Sequence, residues 1–560
     1  MPDGELELEV VPYGPDPSAV NRAVEAVAAH PAVQAQDGER RVLATRLVAP
    51  VHKTRGLPSP PEQLVATVYD YTNNRMLVVE GALDDLEAEP PDGAAASDEV
   101  TAAPPDVAVS EYRGQPLPSE EEFLAALAVV SGDGGAAGLG RDGARAYRPL
   151  PPVLTVEQPD GTEERVVTVG LLGAGAVRHR IVGVNMTTRE VLHDLPGTPA
   201  PSDHPCEPPP SAEFCDPTGS GGQVLVTVRQ GGTTLWTFVA TRPAASSGTN
   251  GSGVELQFVD YRGKRVLYQA HVPILNVEYF QDGINEGCGP TYRDWQNQEA
   301  CFEAVGQDVL PGYRVCQAPA RTLLDSGSDS GDFRGVAIFV QGQEVVLVSE
   351  MAAGWYRYIS EWRLAADGTI RPRFGFAATE NPCTCHTHHH HVYWRLDFDI
   401  RTPGSNLVQE FNDPPLAGGA NWGTQAYEVR RPKDTGHKRR WRVQNTRTGE
   451  GYELVPGPND GNASPFGMGD LWALAYKPQP AGAGPEIDDG QGFTTNPALA
   501  RAHLDGFLTP AEQLSNPDPA TGQPRGTDVV LWYGAHFLHA ETAPEEVEHI
   551  VGPELRPMNW

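Results

Sequence analysis

The sequence predicts a mainly β protein, in which a large antiparallel β-sandwich follows two small α+β domains. Segments rich in β-branched and aromatic residues recur along the chain, and turn signals such as Gly231-Gly232 and Asp367-Gly368 separate them. The 60 Gly and 52 Pro among 560 residues provide many further turn positions. Strand patterns outnumber long amphipathic helices, so we expect sheets to form most of the core.

Two helix-plus-sheet units are predicted before the sandwich, at residues 1–85 and 109–195. Ser18 lies near the predicted helix cap of the first unit, and Ser119 caps the helix of the second. The first unit has a predicted helix at 15–30 and strands at 40–50, 64–71 and 74–81. The second has a predicted helix at 119–130 and strands at 151–158, 164–171 and 178–193. Pro-rich stretches at 86–108 and 196–222 are predicted to be linkers.

The large β-sandwich domain is predicted at residues 223–560. Its strand-like segments include 224–228, 233–240, 254–260, 264–271, 335–341, 344–351, 355–364 and 369–377. Such closely spaced strands with turn signals between them are typical of a sandwich. No phosphate-binding loop, nucleophile elbow or dinucleotide-binding pattern appears in a strand-to-helix context.

The charge and hydropathy patterns restrict the possible partners. A net charge of −32 argues against a nucleic-acid-binding surface, because phosphate contacts need patches of Lys and Arg. It would suit the attraction of cations, amines included. The N-terminus lacks the pattern of a signal peptide, and nowhere do 18 apolar residues run together. We therefore expect a soluble, cytoplasmic protein with no membrane partner.

The seven cysteines give no clear disulfide framework. Their odd number fits reduced thiols at least as well as bridges. One or two bridges remain an alternative, and Cys206 and Cys215, which flank a Pro-rich loop, are the pair expected in an oxidising compartment.

A cluster of potential metal ligands lies between Cys383 and Asp399, where five histidines and two cysteines precede an alternating strand pattern. In an extended strand, residues i and i+2 share a face, so His388 and His390 lie on the same face as Val392. A catalytic metal needs a dry cavity, which favours this His-x-His pair. Imidazole suits Cu(II) and Zn.

Other interpretations of this cluster remain open. The histidine run could be a solvated low-complexity tract or an adventitious metal site. Cys383 and Cys385 add soft ligands that would suit zinc or Cu(I). Because a hairpin could not aim all seven groups at one ion, we regard the thiols as secondary.

A second histidine pair lies near the C-terminus, in the segment Asp528-Val-Val-Leu-Trp-Tyr-Gly-Ala-His-Phe-Leu-His539. Together with His388-x-His390, the segment Arg395-Leu-Asp-Phe-Asp399 and the pair Tyr292-x-Asp294, it resembles the copper-containing amine oxidases. The segment from Phe258 to Tyr268 also matches. The resemblance covers residues 223–560, and the two small units are similar to that family's paired helix-on-sheet domains.

The resemblance implies two metal sites. His388, His390 and His539 correspond to the copper ligands. His536 competes for the third place, but the family keeps an aspartate eleven residues before its third histidine, and Asp528 has that spacing to His539. A peripheral site is implied as well, for which oxygen ligands favour Ca²⁺; its members would be Asp397, the carbonyl of Phe398, Asp399 and Asp528. A solvated acidic strand edge is the alternative.

The resemblance also implies a topaquinone cofactor made from a tyrosine, for which Tyr356 is the candidate. Asp294 corresponds to the catalytic base, which suits an aspartate whose pKa burial raises. Tyr292 corresponds to the gate of the substrate channel and Tyr279 to the tyrosine that hydrogen-bonds the cofactor. The alternative for each tyrosine is an ordinary place in the sandwich core.

The sequence departs from the family pattern around Tyr356. The family has asparagine before its cofactor tyrosine and an acidic residue after it, whereas this chain has Trp355 and Arg357. The spacings from Asp294 to Tyr356 and from Tyr356 to His388 are shorter than usual.

The expected function is therefore oxidation of a primary amine by O₂ to aldehyde, ammonia and H₂O₂, in a copper and topaquinone enzyme that forms a homodimer. One alternative is a copper oxidase without the quinone, acting on a phenol, a peptide or a natural product. Another is a non-catalytic metal-binding protein.

Overall fold

The computed structural model describes residues 4–34, 39–48, 53, 57, 60–83, 86, 106–112, 115–133, 145–149, 152–157, 163–172, 179–195, 215, 222–247, 251–279, 291–379, 387–416, 418–463, 469–477, 506, 508–539 and 549–560. Cys206, Cys383, Cys385 and His386 lie outside this part of the chain, as do the side chains of Tyr279 and Tyr292. The protein is mostly β, with several antiparallel sheets, which confirms the predicted fold class.

The first helix-on-sheet unit packs one helix on a four-stranded sheet of order β2-β3-β4-β5. The N-cap of α1 is Asp16, and Ser18 lies near this cap as predicted; the Asp16 carboxylate accepts a hydrogen bond of 2.7 Å from the Ser18 backbone N–H. The elements of this unit are α1 (Pro17–Ala29), β2 (Arg40–Val48), β3 (Gln63–Asp70), β4 (Arg75–Ala82) and β5 (Val107–Tyr112), and β1 (Leu6–Pro12) precedes them in the chain. Strand β5 therefore extends the first sheet across the predicted division between linker and second unit.

The second unit has one helix and a five-stranded sheet, in which β10-β9-β8-β6 follow one another and β7 also pairs with β8. Ser119 accepts a hydrogen bond of 3.1 Å from the Glu122 backbone N–H, which confirms the predicted cap. The elements are α2 (Glu120–Gly132), β6 (Arg145–Tyr147), β7 (Val153–Glu157), β8 (Glu163–Leu172), β9 (His179–Asn185) and β10 (Val191–Leu192).

The rest of the chain supplies most strands of two large sheets. Its first elements are β11 (Gln223–Gln230), β12 (Thr233–Thr241), a 3₁₀ turn (Pro243–Ala245), β13 (Glu255–Tyr261), β14 (Lys264–Tyr279), β15 (Thr291–Arg293), β16 (Gly306–Leu310) and β17 (Tyr313–Cys316). Next come α3 (Leu323–Ser326), β18 (Val336–Gln341), β19 (Glu344–Ala353), β20 (Tyr356–Ala365), β21 (Ile370–Ala378), β22 (His388–Phe398), β23 (Asn406–Phe411) and β24 (Trp422–Thr424). The last are β25 (Val429–Arg431), β26 (Arg440–Asn445), β27 (Gly451–Val455), β28 (Leu471–Ala475), β29 (Ser515–Pro517), β30 (Pro524–Gly526), β31 (Val529–His539), β32 (Ile550–Val551) and β33 (Glu554–Met558).

The two large sheets share one core. The first has the order β1-β11-β12-β13-β14-β22-β31-β28-β25, with β15 beside β14. The second has the order β16-β17-β18-β19-β20-β21-β33-β27-β26-β23-β24, with β32 beside β21. Strand β1 belongs to the first large sheet, where Leu6 pairs with Gln230, so the chain enters the sandwich before it forms the first small unit.

Buried tryptophans from both sheets fill this core and also connect the sheets by hydrogen bonds. The indole of Trp236 on β12 donates to the Ala365 carbonyl at 2.8 Å, and that of Trp362 on β20 donates to the Val254 carbonyl at 2.8 Å. Both side chains are fully buried, so each supplies a large apolar area and leaves no unpaired N–H.

The cysteine pairing differs from the one considered above. Cys215 forms a disulfide with Cys301, 86 residues further along the chain, and Cys316 is a buried free thiol. Disulfides are common in oxidising compartments and rare in the cytosol. None of the described helices is long and apolar enough to cross a membrane.

Candidate functional site

The histidine-rich strand β22 lies in the middle of the first large sheet, between β14 and β31. Its register places His388 opposite His539 on β31 and opposite Tyr279 on β14. His390, two residues further on, lies opposite Phe537. His388 and His390 are fully buried. The strand geometry predicted from residue parity therefore points the His-x-His pair into the space between the two sheets.

Three imidazoles, those of His388, His390 and His539, form what we call the imidazole group. The Nε2 atoms of His388 and His390 lie 3.0 Å apart. The rings of His388 and His539 have centroids 4.8 Å apart, so His388 is the central member. Among the described residues, Asp397, Asp399 and Asp528 form the one set of three potential metal ligands whose ligating atoms all lie within 4.8 Å of one another. In the imidazole group, at least one pair of ligating nitrogen atoms is therefore more than 4.8 Å apart.

Two members of the imidazole group, His390 and His539, have the protonation state that metal binding requires. Burial, with help from the neighbouring imidazoles of His388 and His539, lowers the pKa of His390 well below its ordinary value. Burial lowers the pKa of His539 to about 4. At neutral pH these rings are uncharged, and each keeps a lone pair for a metal ion. The two facing Nε2 atoms can share one proton, whose place an ion could take.

A fourth histidine, His549, adjoins the imidazole group, and the sequence prediction missed it. Its ring centroid is 5.3 Å from that of His539, and its Nδ1 lies 3.2 Å from the Phe376 carbonyl oxygen. If Nδ1 carries the proton, it donates to that carbonyl and leaves the Nε2 lone pair available. Its place ten residues after His539 is the one signal in the sequence.

His536, the competitor of His539, lies on the opposite face of β31. Its Nδ1 is 2.9 Å from Nδ1 of His391, and its Nε2 is 3.0 Å from Asp470 Oδ1, in poor alignment for a hydrogen bond. Burial lowers the pKa of His536 to about 3. The structure therefore brings His539, and not His536, to the His388–His390 pair.

Tyr356 faces the imidazole group from the second sheet. It begins β20, is 1% exposed, and its ring centroid lies 4.9 Å from that of His390 and 5.9 Å from that of His388. Its unusual neighbour Arg357 forms an ion pair with Asp329 through two contacts of 2.9 Å. The divergent arginine is thus held by its own carboxylate partner.

Asp294 is fully buried, and its hydrogen-bond partner is Tyr358, a neighbour of Tyr356 on β20. The Tyr358 hydroxyl donates a short hydrogen bond to Oδ2 of Asp294, while Oδ1 has no hydrogen-bond partner in the described part of the chain. The rings of Tyr358 and Tyr356 stack with centroids 5.3 Å apart. Tyr358 shares the strand face of Tyr356, two residues away, which is the signal that could have revealed it.

Burial governs the acidity of this aspartate. It raises the pKa of Asp294 to about 8, and the hydrogen bond from Tyr358 opposes part of that rise. A carboxyl group with its pKa near neutrality can exchange a proton with a bound molecule, as general acid–base catalysis requires.

The other two predicted tyrosines can be placed by their backbone alone. Tyr279 pairs with His388 across β14 and β22, and Tyr292 on β15 pairs with Val277 on β14. Tyr279 therefore lies on a strand that pairs with β22, whereas the strand of Tyr292 is separated from β22 by β14.

Three of the four predicted peripheral ligands come together at the opposite end of β22. Oxygen atoms of Asp397, Asp399 and Asp528, which we call the carboxylate cluster, lie within 4.8 Å of one another. The Nζ atom of Lys53 is 2.6, 3.1 and 2.7 Å from them, respectively. The fourth group, the carbonyl of Phe398, accepts a hydrogen bond of 3.3 Å from the Asn406 amide. The sequence prediction missed Lys53.

The fold is similar to those of two solved amine oxidases. A copper-containing benzylamine oxidase from Hansenula polymorpha aligns with 98% of this chain and 98% of its own, at a TM-score of 0.58 and 12% identity. The amine oxidase of Aspergillus nidulans aligns with 98% of this chain and 88% of its own, at a TM-score of 0.50 and 13% identity. No protein-family model matches the sequence, and no curated protein sequence does. At these identities, the likeness shows a shared fold.

Proposed function

We propose that this protein is a copper-dependent oxidase that converts a primary amine, O₂ and water to an aldehyde, ammonia and H₂O₂. One observation carries the proposal: the ring of Tyr356 lies 4.9 Å from that of His390, inside a buried site that also contains Asp294. The fold likeness to two amine oxidases supports it.

The imidazole group is the proposed copper site. Three imidazole ligands at a buried site suit Cu(II), and zinc is the main competitor. Copper and a quinone derived from Tyr356 would supply the electron transfer to O₂ and an electrophilic carbonyl for the amine. Tyr356 is the proposed precursor because its ring is the nearest tyrosine ring to both His388 and His390 among those described.

Asp294 is the proposed general base. Tyr358 holds one carboxylate oxygen, and the other oxygen can take a proton from the substrate carbon next to nitrogen. The surrounding apolar core excludes water, which keeps that proton on the carboxyl group. Tyr292 as the gate and Tyr279 as a hydrogen-bond donor to the cofactor complete the proposal, and a homodimer is the expected assembly.

Copper loading of the purified protein tests the proposal. We expect a visible quinone absorbance to develop in air, a phenylhydrazine adduct, and a mass increase on the peptide that contains Tyr356. Tyr356→Phe is the matched control, since it removes only the hydroxyl. H₂O₂ release with primary amines should depend on both copper and Tyr356. A copper-loaded protein without an adduct and without amine turnover would contradict the proposal.

A copper oxidase without the quinone is the second candidate. Arg357 and Trp355 favour it, because Arg357 is fixed by Asp329 and Trp355 is buried against Tyr356, with ring centroids 6.4 Å apart. Such packing leaves little room for the ring to be modified and to turn. An unmodified Tyr356 peptide from an enzyme that consumes O₂ with a phenol or peptide would establish this candidate. Tight zinc binding with no O₂ uptake would instead indicate a non-catalytic metal-binding protein.

A further inference from the structure

The carboxylate cluster is a buried concentration of negative charge. The side chains of Asp397 and Asp399 are 0% and 2% exposed, and that of Asp528 is 24% exposed. Burying ionised carboxylates is costly unless a positive charge compensates for them. Arg395 approaches Asp397 only at 3.6 Å. The carboxylate cluster therefore needs a neighbouring cation.

Lys53 already meets that need. An ammonium group has three N–H donors, and Lys53 directs Nζ to one oxygen of each aspartate, at 2.6, 3.1 and 2.7 Å. Its side chain is only 6% exposed. The ring of Tyr476 lies 3.9 Å from Nζ, and that of Tyr268 lies 5.1 Å from it, so aromatic faces also stabilise the charge.

The same arrangement does not fit a calcium ion. Ca²⁺ takes about 6–8 oxygen ligands at about 2.3–2.6 Å. Here one oxygen of each carboxylate accepts a hydrogen bond from Lys53, and the carbonyl oxygen of Phe398 accepts one from the Asn406 amide. An ion could enter only if the ammonium left, which would expose the lysine and break all three bonds.

We propose that Lys53 is the built-in cation of the carboxylate cluster, taking the place of a divalent metal and fastening the first helix-on-sheet unit to the large sandwich. Lys53 follows β2, and its partners lie 344 residues away at Asp397 and 475 residues away at Asp528. The ammonium thus connects a small unit to the ends of β22 and the start of β31, the two strands that carry the imidazole group. The proposal is independent of copper chemistry and of the substrate.

Calcium binding by the full-length protein tests this inference. After removal of divalent ions with EGTA, calorimetric titration with Ca²⁺ and luminescence titration with Tb³⁺ are compared for wild type, Lys53→Met and Lys438→Met. Lys438 is an exposed lysine paired with Asp413 and serves as the control. We expect no saturable binding by wild type or the control, and a new site in Lys53→Met. That variant should lose about 3–4 °C in Tm in EGTA, and Ca²⁺ should restore most of it.

Two results would overturn the proposal. One is saturable, one-to-one Ca²⁺ binding by the wild type that raises its Tm. The other is a folded Lys53→Met protein that has the wild-type Tm in EGTA and binds no Ca²⁺. If Lys53→Met does not fold, Lys53→Arg, which keeps the charge, should fold and bind no Ca²⁺. If Lys53→Arg also does not fold and the wild type binds Ca²⁺, the proposal is contradicted.

Discussion

The two ends of strand β22 carry buried polar groups that are stabilised in opposite ways. Near its start, the Nε2 atoms of His388 and His390 face each other at 3.0 Å. Near its end, Asp397 and Asp399 surround the ammonium of Lys53. A neutral imidazole can be buried at modest cost, whereas an ionised carboxylate cannot. The imidazole end can thus remain buried without a bound cation, whereas the carboxylate end has the ammonium group of Lys53 as its cation.

The largest expected effect comes from removing the central imidazole. His388→Ala should lose its copper and fall in kcat by at least about 10³-fold, the scale typical of losing an essential catalytic group. Metal analysis and the Cu(II) EPR spectrum measure this. His389→Ala is the matched control, because His389 is the next residue on β22 and points to the other face. Equal copper loss in the two variants would contradict the assignment of faces.

Asp294→Asn should leave copper in place and lower kcat/KM by about 10²–10⁴-fold, the usual contribution of a general base. Because the pKa of Asp294 is raised to about 8, the wild-type kcat/KM should rise with pH through that value. The folded state holds this proton and the unfolded state does not, so wild-type stability should fall as the pH increases toward 8.

Asp294→Asn has no titrating carboxyl group at this position, so its Tm should lose that pH dependence and exceed the wild-type Tm at pH 8. Its activity should nevertheless be lower, because the general base is missing. Asp308→Asn, at an exposed carboxylate paired with Arg314, is the control for the substitution itself. A kcat/KM profile for Asp294→Asn that still rises near pH 8 would assign the base to another group.

Tyr358→Phe should have a smaller effect. It removes the hydrogen bond that lowers the pKa of Asp294, so that pKa rises further and the ascending limb of kcat/KM moves to higher pH. A displacement of one pH unit means about a tenfold loss at neutral pH, with little change at high pH. Tyr452→Phe, at a buried tyrosine that donates to the Gly368 carbonyl, should leave the profile unchanged. An unshifted profile in Tyr358→Phe would show that the pair does not set the acidity.

The smallest expected effect is at His549. His549→Gln should weaken copper binding by about tenfold and alter the Cu(II) EPR parameters, in line with groups that support metal ligands. His437→Gln, at a half-exposed histidine paired with Asp434, is the control. Identical spectra for His549→Gln and wild type would place His549 outside the metal centre.

Local sequence patterns predicted many strands of the sandwich and the shared face of His388 and His390 in the candidate site. The strand at 388–398 follows from alternation of residue types, and the face shared by His388 and His390 follows from the same periodicity. The capped helix after Ser119 follows from its side-chain chemistry. These features depend on neighbours within a few residues, which a sequence displays directly.

Features made by distant segments could not be predicted in this way. Lys53 reaches aspartates hundreds of residues away, and nothing in its surroundings distinguishes it from a surface lysine. Cys215 pairs with Cys301 rather than with the nearby Cys206, since connectivity is set by the fold and not by spacing. Asp294 was found by its motif, but its partner Tyr358 depends on how two sheets meet.

The place of β1 and Lys53 has a consequence for dissecting the molecule. A fragment that starts at residue 223 would contain the imidazole group and the whole carboxylate cluster. Without β1 it would expose the edge of β11, which invites aggregation between chains. Without Lys53 it would retain three unneutralised aspartates under its two central strands. The N-terminal segment is thus an integral part of the sandwich, because it supplies one strand of the first large sheet and the ammonium group at the carboxylate cluster.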